Sequence, residues 1–444
     1  MWVESLDLEN IRCFPNLSVR FTTQRDVPCR WVNLVSENGG GKSTMLQALA
    51  LLLAGPEGAQ QLFPRPHGWL RDEQTPGKLS ARIHQDDVDP GQHGDDKVRK
   101  AFSYSYVMTG REPLTVNNKS YTEPAIVPSG QSILTWLRNN AFTSRGEGWF
   151  AAGYGAFRRL TRSSQIIVPS LEPQARFTNF LTQFDESEPL SAFERWVVYL
   201  DYRIAKEKDS RAKTQQELGI NAINRVLEPV GAKFDRVTSE GRILFQVNGQ
   251  SVPTIGMSDG FRSILALAGD LVWRLIMAFP NSTDALREPG VVLIDELDIH
   301  LHPTWQRVVA GVLRTTFPAL QFFVATHSPL IAAGSGEDAL TLHFATTDGA
   351  VMVRSVEKIY AMNVDRILES EAFQLVSPYA PETQKKLDRY DALSRRKTKG
   401  LTKPEQGEYQ KLLNFMEDAR PIGGHPEPDS VEAKIDAYLA EALL

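Results

Sequence analysis

The chain has 444 residues, of which 42% are apolar and 23% are charged, and its formal net charge is −5. This composition is ordinary for a globular chain of about two to three domains, and it excludes a strongly basic field over the whole molecule. The two cysteines match no disulfide framework or metal-ligand spacing, and no apolar run reaches the ~18 residues that a membrane span needs. We therefore expect a cytoplasmic protein with no membrane segment.

A glycine-rich segment follows the first predicted strands. Residues 36–44 read Ser-Glu-Asn-Gly-Gly-Gly-Lys-Ser-Thr and lie between an apolar strand at 31–35 and a helical pattern that ends at Gly55. This is the arrangement of a P-loop, in which glycines turn backbone N–H groups towards a phosphate and the helix N-terminus adds its positive end. The lysine supplies charge for the β- and γ-phosphates, and the serine hydroxyl can bind Mg²⁺. We predict a phosphate site formed by Asn38, Gly39, Gly40, Gly41, Lys42, Ser43 and Thr44.

The chain on either side of this loop carries further strand signals. Arg12 and Phe14 lie in a predicted turn, where a hairpin corner or a contact with adenine is open for each. Residues 56–100 form an irregular insertion with one strand at 79–84, and its acidic run is predicted to be a solvated loop rather than a metal site. That run contains Asp86, Asp87, Asp89, Asp95 and Asp96.

The middle of the chain alternates between strands and helices. A strand follows at 101–108, a helix at 131–137 and an apolar strand at 149–154, beyond which Arg158 and Arg159 are predicted to be exposed. Residues 190–229 are predicted to form helices and residues 237–252 strands.

Three later motifs complete a pattern with the P-loop. Asp295 and Glu296 follow the apolar run 291–294, where a parallel strand delivers side chains to a nucleotide crevice. Asp295 can hold Mg²⁺ and Glu296 can polarise a water as general base, while His327 ends another strand and could reach the γ-phosphate. Ser258 and Gly260 begin a strongly amphipathic helix and make a second anion site, which the P-loop of the same chain does not need.

Beyond residue 355 the strand signals stop. Residues 382–397 and 404–418 are predicted to form a helical hairpin, and residues 428–444 a last helix. This segment contains neither the Glu and Asp-x-Asp of a Toprim nuclease nor an HNH site.

The order P-loop, signature, Asp-Glu and switch histidine resembles that of ABC-type ATPases of the RecF, Rad50 and SMC branch. The segments that carry this resemblance are residues 38–44, 257–265, 291–305 and 324–330. Within that branch the chain looks most like the compact bacterial ATPases of anti-phage systems, such as those of Septu, retron-associated and PARIS loci and the ATPase half of OLD-family nucleases.

The resemblance implies an α/β ATPase head, with a P-loop in a mixed sheet, flanking antiparallel strands and a helical lobe. The head would span residues 1–355, and residues 356–444 would be a helical region for assembly or for binding a partner. Within the head, the resemblance places Walker A at 36–44, the helical lobe at about 160–230, the signature at 257–263, Walker B and the D-loop at 291–303, and the switch histidine at 327.

The chain departs from the pattern of the ABC-type family at the P-loop, the signature, the D-loop and the Q-loop. The signature has a single glycine and no following glutamine. Ser36 replaces the first P-loop glycine, and His302 stands where many members have the D-loop aspartate. No motif places the Q-loop glutamine, which would help to hold Mg²⁺, and Gln165 is the candidate for it. A metal site at His300 and His302 is disfavoured, because no third ligand is apparent.

The resemblance implies a slow ATPase that works as a dimer with two ATP molecules between the protomers. As a sensor or scaffold in phage defence, it would control a separately encoded effector, either a nuclease or a toxin. The alternative is a RecF-like repair ATPase that binds DNA directly, and RNA also stays open as a ligand. Such binding requires a basic groove, for which the candidates are Arg158, Arg159, Arg162, Arg203 and Lys206. A regulatory ATPase without nucleic acid is a third class.

Overall fold

The computed structural model describes residues 1–91, 101–110, 114–116, 119–121, 124–143, 147–158, 160, 175–186, 190, 192–347, 349–356, 359–375, 377, 379–396 and 400–418. The chain divides into two compact units, Met1–Gln374 and Leu375–Leu444. No helix in these ranges has the length and apolar character that a membrane crossing requires.

The described strands all belong to the first unit. In chain order they are β1 (Trp2–Ile11), β2 (Phe14–Arg20), β3 (Trp31–Val35), β4 (Gly77–His84), β5 (Ala101–Met108), β6 (Leu114–Val116), β7 (Lys119–Tyr121), β8 (Ile126–Ser129), β9 (Phe150–Tyr154), β10 (Ala232–Val237), β11 (Ile243–Val247), β12 (Gln250–Pro253), β13 (Gly290–Ile294), β14 (Leu320–Ala325), β15 (Leu340–Thr347) and β16 (Ala350–Val356).

The described helices are spread over both units. They are α1 (Lys42–Ala54), α2 (Pro56–Leu62), α3 (Gln131–Asn140), α4 (Ala192–Glu207), α5 (Ser210–Leu227), α6 (Asp259–Ala278), α7 (Pro303–Gln306), α8 (Val309–Thr316), α9 (Pro329–Gly334), α10 (Val364–Glu369), α11 (Pro381–Arg396) and α12 (Lys403–Asp418). A 3₁₀ segment, Arg176–Gln183, lies between β9 and α4.

A six-stranded sheet forms the centre of the first unit. Its order is β16-β15-β3-β14-β13-β9, and every neighbouring pair is parallel except β15 with β16. Strands β3, β9, β13 and β14 are buried at every residue, as expected for a parallel sheet that is covered on both faces. Because these four strands are parallel, their carboxyl ends meet at one edge. The α/β class predicted from the sequence is confirmed.

A second, antiparallel sheet covers one face of this centre, and its order is β2-β1-β4-β5-β8. Buried and accessible residues alternate along β4, so one face of the sheet packs inward. Helix α1 is buried along nearly its whole length and shares one hydrophobic core with residues of both sheets. The P-loop helix is therefore held rigidly on both sides.

A second hydrophobic core holds the helical lobe of the first unit. It joins α4, α5 and α6 to the small antiparallel sheet β10-β11-β12 and to one face of the central strands. Helix α6 is capped by Ser258, whose hydroxyl accepts a hydrogen bond from the backbone N–H of Phe261 at 3.4 Å. A serine in extended backbone before an apolar helix is a usual N-cap.

The acidic run after β4 is only partly the solvated loop that the sequence predicts. Asp89 is 5% exposed, and its carboxylate accepts hydrogen bonds from the backbone N–H groups of Asp86 at 2.8 Å and Trp149 at 2.6 Å. Buried carboxylates need such partners, so Asp89 is a structural residue that connects β4 to β9. Asp95 and Asp96 lie outside the described residues.

The second unit contains α11 and α12, in agreement with the predicted helical pair at 382–397 and 404–418. The two helices pack through stacked rings of Tyr390 and Tyr409, whose centroids are 5.2 Å apart. Arg389 and Glu408 form an ion pair at 2.8 Å beside these rings. The helix predicted at 428–444 lies outside the described residues.

Candidate nucleotide-binding site

The predicted P-loop connects β3 to α1 at the carboxyl edge of the central sheet. Gly39 and Gly41 have φ values of 77° and 90°, a left-handed region that favours glycine. A Cβ atom on Gly41 would also lie 2.6 Å from the Sγ of Cys13 and 2.7 Å from the ring of Phe14. Gly41 is therefore required both by its backbone and by the packing of the first hairpin against the loop. Asn38, Gly39 and Ser43 are exposed at the loop surface.

Ser36, which replaces the first glycine of the usual pattern, is part of the hydrogen-bond network of the loop. Its hydroxyl donates to the carbonyl of Glu37 at 2.7 Å and accepts from the Nζ of Lys42 at 3.0 Å. The Nζ also donates to the carbonyls of Ser36 at 3.2 Å and Glu37 at 3.3 Å. A Cβ atom on Gly40 would lie 2.3 Å from this hydroxyl, so the serine leaves no room for a side chain there.

Lys42 is the buried cation of the site. Burial lowers the pKa of its ammonium, and the nearby charges of Glu296, Asp295 and Asp298 oppose that effect. Lys42 is 4% exposed, so the loop and three carboxylates surround it instead of bulk water. An ammonium in such a position interacts strongly with an anion that reaches it.

Asp295, which directly follows β13, lies beside Ser43, the first residue of α1 with a hydroxyl group. The Asp295 carboxylate forms a hydrogen bond with the side chain of Ser43, while burial raises the pKa of this carboxyl above its ordinary value. Its Oδ1 atom is buried and has no hydrogen-bond partner in the described part of the chain. A carboxylate oxygen without a partner, beside a serine hydroxyl, fits a Mg²⁺ ion, because Mg²⁺ prefers a few carboxylate and hydroxyl ligands and keeps its waters.

Glu296 and His327 contact each other at the same edge of the sheet. The Oε1 of Glu296 lies 3.3 Å from the Nε2 of His327, and this hydrogen bond lowers the pKa of the Glu296 carboxyl. The same Nε2 lies 3.0 Å from the Nζ of Lys42. Glu296 has φ of 49°, an unusual backbone conformation for a residue with a side chain. The structure thus brings together Lys42, Glu296 and His327, which were predicted from separate motifs.

Asp298 also lies at this centre, although it was not among the residues predicted from the sequence. Its Oδ1 accepts hydrogen bonds from the Thr326 hydroxyl at 2.5 Å and from the His327 backbone N–H at 3.1 Å. The carboxylate therefore joins the turn after β13 to the turn after β14 and positions His327. Its place two residues after Glu296 is the one signal that could have identified it.

Arg158 is not exposed as predicted. It is 4% exposed, and its guanidinium donates hydrogen bonds to the carbonyls of Gly155 at 2.8 Å, Asp295 at 2.6 Å and Glu296 at 2.9 Å. A buried arginine satisfies its donors where it can, and backbone carbonyls at a strand end offer acceptors. Arg158 therefore belongs to the nucleotide site and is withdrawn from the candidates for a basic groove.

The signature residues lie beside the D-loop segment. Ser258 and Asp259 are exposed at the start of α6. A Cβ atom on Gly260 would lie 2.3 Å from the carbonyl oxygen of His300, so only glycine permits this close packing. No hydrogen bond among the described residues joins Ser258 to the Walker A loop of the same chain.

The other residues singled out from the sequence lie outside the phosphate-binding loop. Phe14 is fully buried in the core, whereas Arg12 is exposed, with its guanidinium 4.6 Å from the Trp69 ring centroid and 3.4 Å from the Thr44 hydroxyl. His302 caps α7 by accepting from the Thr304 backbone N–H at 3.3 Å. Within the described ranges, no group of three or more His, Cys, Asp or Glu side chains has an arrangement that could hold a metal ion. Arg203 is paired with Asp209. Gln165, Arg159 and Arg162 lie outside the described residues.

Taken together, the fold and these residues define an ABC-like P-loop ATPase. A family model described as "AAA domain, putative AbiEii toxin, Type IV TA system" matches residues 37–333, which is more than half of the chain. The chain therefore belongs to this family of AAA domains.

Two similar proteins confirm the resemblance to the Septu and retron ATPases. Septu protein PtuA of Bacillus mycoides (strain KBAB4) is 26% identical over 99% of this chain and 54% of its own length. The Retron Vc95 probable ATPase of Vibrio cholerae serotype O1 biovar El Tor is 42% identical over 19% of this chain and 16% of its own length. This chain thus spans about half the length of the PtuA relative.

Among solved structures, a crystal structure of an Smc head bound to the C-winged helix domain of ScpA is similar to this chain. It is 16% identical, has a TM-score of 0.48, and covers 81% of this chain and 99% of its own.

Proposed function

We propose that this protein binds ATP with Mg²⁺ and hydrolyses it to ADP and phosphate. The observation that carries the proposal is the convergence of Lys42, Glu296 and His327 through a single imidazole nitrogen, next to the Ser43–Asp295 hydrogen bond. Phosphoryl transfer depends mainly on positioning and on charge stabilisation, and this edge of the sheet supplies both. The probable-ATPase name of a retron relative supports the same activity.

Each residue has a distinct role in this proposal. Lys42 and the N–H groups of the P-loop bind the β- and γ-phosphates. Ser43 and Asp295 would hold Mg²⁺, which when bound neutralises charge on the phosphate oxygens. The pKa of Glu296 is lowered from its ordinary value, so the side chain is a carboxylate at neutral pH, the form that can orient the attacking water and accept a proton from it. His327 lies beside both Lys42 and Glu296 and would contact the γ-phosphate.

We further propose that hydrolysis requires a dimer, so that turnover is slow. Ser258 caps a 20-residue helix in which Gly260 is the second residue, and both Ser258 and the first helical residue, Asp259, are exposed. An exposed helix N-terminus attracts anions. In a two-fold dimer, the signature of one protomer would face the γ-phosphate held by the other, and the arrangement closes with two sites. ATP would then favour the dimer and hydrolysis would release it.

The biological role that we propose is that of an ATP-gated sensor or scaffold in bacterial phage defence, acting in the cytoplasm on a separate nuclease or toxin. The similarity to Septu PtuA over nearly the whole chain supports this role. The helical pair α11–α12 is the proposed site for assembly or for the partner. A RecF-like repair function would need a basic groove, and two of its predicted candidates are engaged, Arg158 with carbonyls and Arg203 with Asp209.

The experiment that tests the dimer and the partner is mass photometry of Glu296→Gln with and without ATP and Mg²⁺. The substitution keeps the side chain's size but removes the base, so ATP-bound dimers should accumulate. Lys42→Ala is the control, because without the lysine the mass should not depend on ATP. The measurement is then repeated with the product of the neighbouring reading frame.

Uptake of the neighbouring product into the ATP-stabilised dimer supports the defence role. A dimer that ignores this product but binds DNA with an affinity that falls steeply with salt points to the repair function instead. If Glu296→Gln stays monomeric with ATP, the dimer mechanism is wrong.

A further inference from the structure

Arg158 makes an unusual set of contacts at the end of β13. Its Nη1 donates to the carbonyl oxygen of Asp295 at 2.6 Å, and its Nη2 donates to that of Glu296 at 2.9 Å. We propose that Arg158 is a positioning residue, which fixes the backbone of the Asp295–Glu296 pair and thereby aims the Glu296 carboxylate at the attacking water. The proposal rests on the proposed ATPase function.

The backbone at Glu296 needs such support. Regular strand pairing stops at Ile294, which is the last residue of β13, although the N–H of Asp295 still donates to the Tyr154 carbonyl at 2.8 Å. Glu296 then adopts φ of 49°, which is costly for a residue with a Cβ atom and persists only where surrounding contacts hold it. The two hydrogen bonds from Arg158 are contacts of that kind.

The chemistry of arginine suits this task better than that of lysine. The planar guanidinium presents N–H groups in a fixed arrangement, so it can bind two successive carbonyls at once, whereas an ammonium has no such planar pair of donors. Burial lowers the pKa of Arg158 to about 10, so it remains charged at neutral pH. Its charge also lies close to the carboxylates of Asp295, Asp298 and Glu296.

A residue close to Arg158 in the sequence is hydrogen-bonded to α6. Leu160, two residues after Arg158, accepts a hydrogen bond through its carbonyl from the Nη2 of Arg262 at 3.2 Å. Arg262 is buried in the first turn of α6, four residues after Ser258. Arg158 therefore contacts the backbone of the proposed base, and Leu160 contacts the helix that would face the second protomer.

The chain offers a matched control for the loss of a buried arginine. Arg176 is also buried, burial also lowers its pKa to about 10, and it also donates to carbonyls. Its partners are Leu53 at 2.7 Å and Ala141 at 3.3 Å, at the far end of α1 from the P-loop. Substitution of Arg176 reproduces the cost of removing a buried guanidinium without touching the Walker B backbone.

The test compares Arg158→Lys and Arg158→Met with Arg176→Lys and Arg176→Met in the full chain. Steady-state kcat, the Kd of ATP and the thermal midpoint are measured for each. We expect both Arg158 variants to lose about 100-fold in kcat with Kd for ATP within about threefold, because a small misplacement of the base affects the chemical step and not ground-state binding. The Arg176 variants should lose stability alone.

The outcomes separate the inference from the proposed function. If the wild-type protein hydrolyses ATP and Arg158→Lys has the same kcat as Arg176→Lys, the inference is wrong while the ATPase proposal stands. If the wild-type protein hydrolyses no ATP, with or without the neighbouring product, the ATPase proposal fails. If Arg158→Met does not fold, the two lysine variants decide, and an equal loss in Kd and kcat for Arg158→Lys would also overturn the positioning role.

Discussion

The Nζ of Lys42 lies 3.0 Å from the Nε2 of His327, although 285 positions separate the two residues in the chain. The contact arises because β3 and β14 are adjacent parallel strands, so the turns that follow them meet. The same Nε2 lies 3.3 Å from Glu296. One imidazole nitrogen cannot accept from the lysine and donate to the carboxylate at once. When the Nε2 of His327 carries a proton, it donates to Glu296, and when it carries none, it accepts from Lys42.

This relationship predicts that His327 affects turnover more than binding. His327→Ala removes the contact to Glu296 and the group that would contact the γ-phosphate, while the Walker A hydrogen bonds to Lys42 remain. We expect a loss of about 100-fold in kcat, in the range for a residue that assists proton transfer or charge stabilisation, with little change in the Kd for ATP. Single-turnover hydrolysis and equilibrium ATP binding measure the two quantities.

His67→Ala is the control for this experiment, because His67 is exposed in the loop after α2. It should match the wild type in both quantities. A His327→Ala protein with normal kcat, or one that loses ATP affinity by the same factor as kcat, would contradict a role in the chemical step.

A second prediction concerns Ser36 and Gly40, which depend on each other. A Cβ atom on Gly40 would lie 2.3 Å from the Oγ and 2.7 Å from the Cβ of Ser36. Gly40→Ala alone should therefore displace the loop, cost about 1–3 kcal/mol of stability and lower ATP affinity about tenfold or more. In the double variant Ser36→Gly/Gly40→Ala the two closest atoms are gone, and the Glu37 carbonyl oxygen at 3.2 Å is the nearest that remains. Affinity and stability should therefore return towards those of Ser36→Gly alone.

Isothermal titration with a non-hydrolysable ATP analogue and chemical denaturation provide the four corners of this double-mutant cycle. Ser36→Gly alone serves as the control, and it isolates the loss of the hydroxyl that binds Lys42. Additive effects of the two substitutions would show that Ser36 and Gly40 are independent and that the packing argument is wrong.

The local motifs of this site were predictable, whereas its distant contacts were not. Lys42, Asp295 and His327 follow apolar strands in the sequence, and parallel pairing alone brings the ends of such strands together. Arg158, by contrast, lies beyond the apolar run that forms β9, in a stretch whose local pattern predicts a surface residue. Its acceptor on Asp295 is 137 positions away, and no local pattern encodes that contact. Asp89 is buried for the same kind of reason, through a partner 60 positions away.

The last prediction is that the ionised Asp295 carboxylate lowers the stability of the folded protein when Mg²⁺ is absent. Burial raises the pKa of this carboxyl above the unfolded value of 3.8, so the folded state binds the proton more tightly than the unfolded state does. Stability associated with Asp295 is therefore greatest below pH 3.8 and falls as the pH rises through the folded pKa. At pH 7 without Mg²⁺, Asp295→Asn should be more stable than the wild type by about 1 kcal/mol.

Denaturation in EDTA at several pH values measures this difference, which should shrink as the pH falls towards the unfolded value. Asp298→Ala is the matched contrast, because Asp298 accepts hydrogen bonds from the Thr326 hydroxyl and the His327 backbone N–H. Its loss should destabilise the protein by about 1–3 kcal/mol. With ATP and Mg²⁺ the order of wild type and Asp295→Asn should reverse, since only the carboxylate can bind the ion. An Asp295→Asn protein that is less stable in EDTA at pH 7 would show that the carboxylate is satisfied by the protein alone.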